Sequence, residues 1–181
     1  MGRKLSKIYT LNRHLFFILI IGLIGILLVG KAEENGIDEV RSSSLLPPNV
    51  IDGDSLEIGN HRIRLMGIDA PEYTQYCKNE KKKNYPCGKK ATEYLRQLVN
   101  NTQISCKIIK KDQYERDLCT CYANGKDLNR EMILSGHAIV YLESPYHLEQ
   151  KEAKQYKRGL WQGRFMHPRL FRRLKEQEKA N

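Results

Sequence analysis

Between Asn49 and Met66 apolar residues alternate with polar ones in runs of two to five, broken by glycine turns, so the folded part of the chain starts as small, tightly turned strands. Val50-Ile51, Leu56-Glu57-Ile58 and Arg62 to Met66 read as strands, joined by turns at Asp52-Gly53 and Gly59-Asn60. Helical spacing takes over at Ala91, Leu95, Leu98 and Val99, between Gly88 and Asn100. Ile104 to Ile109 and Leu118 to Ala123 return to strand character, and Asn124-Gly125 is a hairpin turn. A second helix is expected from Leu128 to Ser135, closed by Gly136, then a short strand from Ala138 to Leu142 and a helix from Tyr146 to Lys157 that stops at Gly159. Five short strands interrupted and followed by about three helices predict an α+β, mainly β fold: a five-stranded OB-type Greek-key barrel with helical additions.

The N-terminus does not belong to this pattern. Arg3, Lys4, Lys7 and Arg13 precede an uncharged apolar run from Leu15 to Val29, the order of an export signal. The run is short for a spanning helix, which needs about 20 residues. Residues 1–32 are therefore read as either a cleaved signal peptide or a retained membrane anchor at 15–29, and the basic flank sends the remainder out across the cytoplasmic membrane. The product is then membrane-anchored, or secreted or periplasmic. Residues 33–48, with four acids, Ser42-Ser43-Ser44 and Pro47-Pro48, are expected to be a linker. Residues 49–168 are the size of one domain with a single core, leaving 169–181 as a basic tail.

The chemistry-bearing residues crowd into the first strands. Asp52, Asp54, Arg64, Asp69 and Glu72 fall within about two dozen residues, at the ends of short strands and beside glycine turns, which points to a divalent-metal and phosphate site. Each has an ordinary alternative: an Asx turn for Asp52-Gly53-Asp54, a surface position for Arg64, a loop start for Glu72. Formal net charge is +10, and Lys151 to Asn181 holds ten Lys or Arg against three Glu. Such a surface favours polyanions, whether nucleic acid or anionic lipid.

Four stretches in order carry a family resemblance: Val50-Ile51-Asp52-Gly53-Asp54, Arg64-Leu65-Met66-Gly67-Ile68-Asp69-Ala70-Pro71-Glu72, Asp112-Gln113-Tyr114-Glu115-Arg116 and Gly159-Leu160-Trp161. Together they resemble the staphylococcal (micrococcal) nuclease, or thermonuclease, family. The resemblance implies a monomeric, calcium-dependent phosphodiesterase that cuts DNA and RNA with low sequence specificity and leaves 3′-phosphate ends. Carried over by position, Asp54 and Asp69 supply carboxylates to Ca2+ and Ala70 its backbone carbonyl. Glu72 is the general base, Arg64 and Arg116 hold the phosphate, and Asp52 acts through water at most. The chain departs from the family in two places, with Ala70 for a threonine and Glu115 for a glycine, and a carboxylate at 115 is expected to pair with Arg116 or repel substrate.

The donor types suit that division. Calcium takes six to eight oxygen ligands, so two carboxylates and a carbonyl leave room for waters and a phosphate oxygen. Arginine binds two oxygens with a planar fork and stays charged at any working pH. Tyr141 and Tyr146 stand where related nucleases carry tyrosines near the nucleotide, with core packing as the alternative, while Lys81, Lys82 and Lys83 form a basic run suited to the phosphate backbone. Of the five cysteines, Cys77 with Cys87 and Cys106 with Cys121 could pair, leaving Cys119; zinc ligation and reduced buried thiols are the rivals. Two other functions fit part of the pattern: an OB-type module that binds nucleic acid without cutting it, and a membrane-anchored interaction protein whose basic tail contacts lipid.

Overall fold

A computed structural model describes residues 38–180 of the chain. The expected signal or anchor, with its apolar run at 15–29, lies outside the described residues. Among the described residues no helix is long and apolar enough to cross a membrane.

The strand meander forms as its alternation predicts. Strands β1 (Glu39–Arg41), β2 (Asn49–Val50), β3 (Ser55–Ile58) and β4 (His61–Leu65) are joined by β8 (Ile104–Lys111) and β9 (Asp117–Ala123) in one curled sheet of order β1-β8-β9-β4-β3-β2. A short β10 (Lys126–Asp127) folds back on β9 through a turn with positive φ at both Asn124 and Gly125. Two small ribbons complete the strands: β5 (Ile68–Asp69) pairs with β11 (Ile139–Val140), and β6 (Cys77–Lys78) with β7 (Asn84–Tyr85). The helices are α1 (Cys87–Val99), α2 (Leu128–Leu134), α3 (His147–Gln155) and α4 (Pro168–Ala180), with a 3-10 turn at Gly159–Gln162.

The main sheet is antiparallel except where the meander meets the later hairpin: β4 runs parallel to β9, placing Ile63 opposite Asp117 and Leu65 opposite Cys119. Strands β1 and β2 stand at the two ends of the strand order yet are consecutive in the chain. Ser42 N extends the β1 pairing to Ile104 O (2.9 Å), and the chain then crosses to pair Val50 with Leu56. One segment thus ties both ends, curling the sheet into a half-barrel around Leu56, Ile58, Ile63, Leu65 and Ile104. Helix α1 covers this core with Ala91, Leu95 and Val99, spaced four apart on one face.

Several expectations are corrected. The linker at 33–48 gives way to structure at Glu39–Arg41, because Val40 is buried opposite Cys106 and supplies an edge that β8 lacks otherwise. The tail expected at 169–181 is helical over Pro168–Ala180, begun by Pro168 in the first turn, where its missing N–H costs nothing. Four α-helices, not three, are present among the described residues, and the strands are more numerous and shorter than five.

Cys106 and Cys121 face each other directly across β8 and β9 with Cα atoms 4.0 Å apart and form a disulfide. A second disulfide joins Cys77 in β6 to Cys87 at the start of α1. Cys119 is free and buried, and burial, with Asp117 nearby, pushes its thiol up to about 12, which leaves it a small apolar residue rather than a nucleophile.

The parallel junction is secured by one side chain that the sequence pattern does not mark. Asn129, fully buried in α2, donates from Nδ2 to Met66 O and Cys119 O (both 2.9 Å) and accepts from Cys121 N (3.1 Å). It satisfies Met66 O and Cys121 N where β4 leaves β9, and adds a second bond to Cys119 O, which also accepts from Met66 N (2.8 Å). Asn129→Ala removes the bonds to Met66 O and Cys121 N and is expected to lower stability by roughly 2–4 kcal/mol, read as a lower urea midpoint with an unchanged m-value.

Candidate active site

The acids are placed by a turn that only a small residue permits. Asp54 N donates to Asp52 Oδ1 (3.0 Å), the Asx turn expected for Asp-Gly-Asp. Between them, a Cβ on Gly53 would lie 2.7 Å from both Ala70 Cβ and Ala91 Cβ, so glycine lets the turn press against α1 and the loop after β5. Asp54 is thereby buried: Oδ1 accepts from Arg64 Nη1 and from the Ser55 hydroxyl (3.1 Å), and Oδ2 accepts from Ala70 N (2.7 Å).

Asp69 arrives from the other side, on β5. It is fully buried, and its Oδ1 accepts from Arg64 Nη2 and from Arg172 Nη2, both at 3.0 Å. Its Oδ2 is buried and accepts no hydrogen bond from the described residues; His167 Nδ1 stands 4.0 Å away. Glu72 comes three residues later, one-third exposed, with Oε1 accepting from Arg172 Nη1 (2.7 Å). Its backbone is clamped on both sides. Gln75 N donates to Glu72 O (2.7 Å), Gln75 Nε2 reaches Met166 O (2.7 Å), and Gly88 brings α1 so near that a Cβ there would fall 1.6 Å from Glu72 O. The Cys77–Cys87 disulfide closes the same loop.

Arg64 is the centre of the cluster. Ile63 and Leu65 point into the core, so alternation turns Arg64 to the opposite face, as expected, but that face holds Asp54 and Asp69 rather than water. Burial raises the Asp54 carboxyl to about 7, against the opposing pull of Arg64 and helped by the neighbouring Asp52. Burial works against the charge on Arg172 as well, yet Glu72 and Asp69 hold its pKa above the usual arginine value. Three carboxylates thus share two guanidinium groups.

The structure brings Asp54, Arg64, Asp69, Ala70 and Glu72 together and leaves other predicted residues apart. Arg116 is bound by Asp112, through Nε and Nη2 at 2.8 Å each, and lies over the Tyr114 ring; none of its contacts is with the acids. Glu115 does not pair with Arg116: it points to Lys111 (3.7 Å), with φ at +59°, which accounts for a glycine at this position in the family. Tyr146 is a core residue that donates its hydroxyl to Asp127 Oδ2 (2.8 Å), so it is not available to a base. Tyr141 is half-buried and lines a cleft of about 370 Å³ with Arg64, Gly67, Lys110, Leu118 and Leu142. Lys81, Lys82 and Lys83 are exposed on the turn between β6 and β7. Arg172 is a site residue that the sequence pattern places only in a basic tail; its local sequence, Phe171-Arg172-Arg173, carries no mark that separates it from its neighbour.

Among the described residues no group of three or more His, Cys, Asp or Glu side chains is placed to hold a metal ion. Two carboxylates and a backbone carbonyl are what the resemblance requires, and these are the oxygen donors a hard cation takes; Asp54 Oδ1 and Oδ2 and Asp69 Oδ1 are held by Arg64, Ser55, Ala70 N and Arg172, and among the described residues Asp69 Oδ2 has no hydrogen-bond donor.

A curled mixed sheet with four helices among the described residues, and an arginine joined to two buried aspartates at the end of its meander, defines an OB-like α+β protein with a polar site. The family model for staphylococcal nuclease homologues matches residues 62–163, and the chain belongs to that family. Among its relatives are the succinoglycan biosynthesis protein ExoI of Rhizobium meliloti, 36% identical over 124 residues, covering 66% of this chain and 65% of that protein. A probable endonuclease lcl3 of Botryotinia fuckeliana is 30% identical over 127 residues, covering 62% and 47%. An uncharacterized endonuclease of Escherichia coli O157:H7 is 36% identical over 123 residues, covering 62% and 72%. The match spans less than two thirds of the length of the first two relatives.

The raised Asp54 carboxyl gives a pH dependence with a definite sign. The folded chain holds this proton up to about 7 while the unfolded chain releases it near the ordinary value of 3.8, so the folded state binds more protons between them. This group's contribution to stability is present below the lower value and is lost as pH rises through the upper one. Melting temperatures between pH 4 and 8 in chelator are expected to fall with pH in the wild-type chain and to fall less in Asp54→Asn.

Proposed function

We propose that the protein is a calcium-dependent nuclease that hydrolyses phosphodiester bonds in DNA and RNA with little sequence specificity. The observation that carries this reading is the arrangement of Arg64 between Asp54 and Asp69, with Glu72 beside them and Asp69 Oδ2 unpartnered. Family membership and relatives named as endonucleases support it. Asp54, Asp69 and the Ala70 carbonyl would hold the calcium, which supplies Lewis-acid stabilisation of the phosphate charge.

The residues divide the remaining work. Glu72 takes a proton from water as the water oxygen bonds to phosphorus, the P–O bond to the leaving sugar oxygen breaks, and that oxygen takes up a proton from solvent water to leave as the sugar hydroxyl. Arg64, held by Asp54 and Asp69 through Nη1 and Nη2, stabilises the charge gathering on the phosphate oxygens by giving up one of these acids. The apolar cleft beside Arg64, with Tyr141 on its wall, suits an unpaired base stacked next to the phosphate. Arg116 joins the phosphate only by leaving Asp112, an exchange of one anion for another. The exposed Lys81, Lys82 and Lys83 serve the strand electrostatically. Export across the membrane is consistent with two disulfides among the described residues, a feature of oxidising compartments.

The test is cleavage of single-stranded DNA and RNA by the full chain with calcium or with chelator. Cleavage is expected only with calcium, and Glu72→Gln and Arg64→Ala are expected to lower kcat by about a hundredfold or more. Salt-sensitive binding without cleavage overturns the enzyme in favour of a binding module.

A further inference from the structure

Helix α4 lies beyond the family-matched segment, which ends at residue 163, and it enters the acid cluster at one point. Arg172 donates through Nη1 to Glu72 Oε1 (2.7 Å) and through Nη2 to Asp69 Oδ1 (3.0 Å). Two nitrogens of one rigid planar group therefore set the spacing between two carboxylates, which a single ammonium on a flexible stem does not do. The contacts use one oxygen of each acid. Among the described residues Asp69 Oδ2 has no hydrogen-bond partner, so the guanidinium and a cation need not compete for the same atom.

The helix is also aimed. Gln75, in the loop that carries Glu72, donates to Met166 O just before α4, and His167 O accepts from Leu170 N and Phe171 N in its first turn. The base of α4 and the backbone of Glu72 are thus one hydrogen-bonded unit, and Arg172 returns from that unit to the Glu72 side chain.

We propose that Arg172 is a positioning residue that holds Glu72 in register with Asp69 for hydrolysis, so that this chain completes its active site with a C-terminal helix of its own. The inference rests on the nuclease reading above. It makes the fixed orientation of Glu72, rather than substrate affinity, the property that Arg172 controls.

The experiment compares the wild-type full chain with Arg172→Gln and Arg172→Lys in three measurements: steady-state cleavage of a single-stranded DNA oligonucleotide, calcium titration by calorimetry, and thermal melting. Both variants are expected to lose about 10- to 100-fold in kcat, the usual cost of removing a residue that orients a site group. KM for the oligonucleotide is expected to stay within about threefold, since no ground-state contact to it is removed, and calcium affinity within about threefold, since Arg172 touches Asp69 through Oδ1 and leaves Oδ2 to the cation. Arg172→Lys keeps the charge and the fold but cannot bridge, so it is not expected to rescue. An unchanged kcat in both variants overturns the proposal and makes Arg172 a docking contact. A higher kcat or clearly tighter calcium binding overturns it in favour of a blocking latch, and a raised KM with constant kcat in favour of a phosphate contact. A wild-type chain that cleaves nothing overturns the nuclease reading and this proposal together, and is distinguished from the other outcomes because the parent itself is inert.

Discussion

Two aspartates with almost no access to water, Asp54 and Asp69, have to be compensated from within the protein, and Arg64 supplies that compensation to both. A buried carboxylate without a partner is costly, and with Arg172 also reaching Asp69, two guanidinium groups serve these two acids and Glu72. Much of the surrounding architecture reflects the need to hold these three side chains together. The Gly53 turn delivers Asp54, the β5–β11 ribbon delivers Asp69, and the alternation of β4 turns Arg64 toward both. Each element is short because each has only to deliver one or two side chains.

A good part of this is legible in the residues alone. Period-two alternation gives the β3 and β4 faces, and with them the direction of Arg64; Asn124-Gly125 gives the β10 turn; helical spacing gives the inner face of α1. Asp54, Asp69 and Glu72 can be named because four stretches in order resemble the nuclease family; strand ends and glycine turns alone leave an Asx turn and a loop start as alternatives. What escapes depends on contacts between distant segments. Val40 reads as one apolar residue among polar ones, and its value as an edge strand exists only once β8 lies beside it. Asn129 looks like any polar residue in a helix until the parallel junction leaves three backbone groups for it to serve.

Arg116 and Tyr146 show the opposite difficulty, since position in a motif does not fix orientation. The Asp112 carboxylate, four residues away, captures Arg116 through two nitrogens, and Tyr146 is drawn into the core by Asp127. Glu115, by its charge the natural obstacle to a phosphate, sits at a backbone conformation that turns it out toward Lys111. Local partners decide each case, and none of them changes the alternation or spacing of the sequence.

The crossing of the 39–50 segment from one end of the sheet to the other has a consequence for the order of events in folding. Its first strand has no partner until β8 exists, and β8 in turn pairs along its length with β9, so the earliest described residues are fixed by contacts distant along the chain. Contacts of this kind carry a loop-closure cost before they return any free energy, which slows folding and makes it cooperative. The Cys106–Cys121 bond fastens the β8–β9 hairpin on which β1 docks, so oxidation of that pair prepares the template against which the beginning of the domain is finally set.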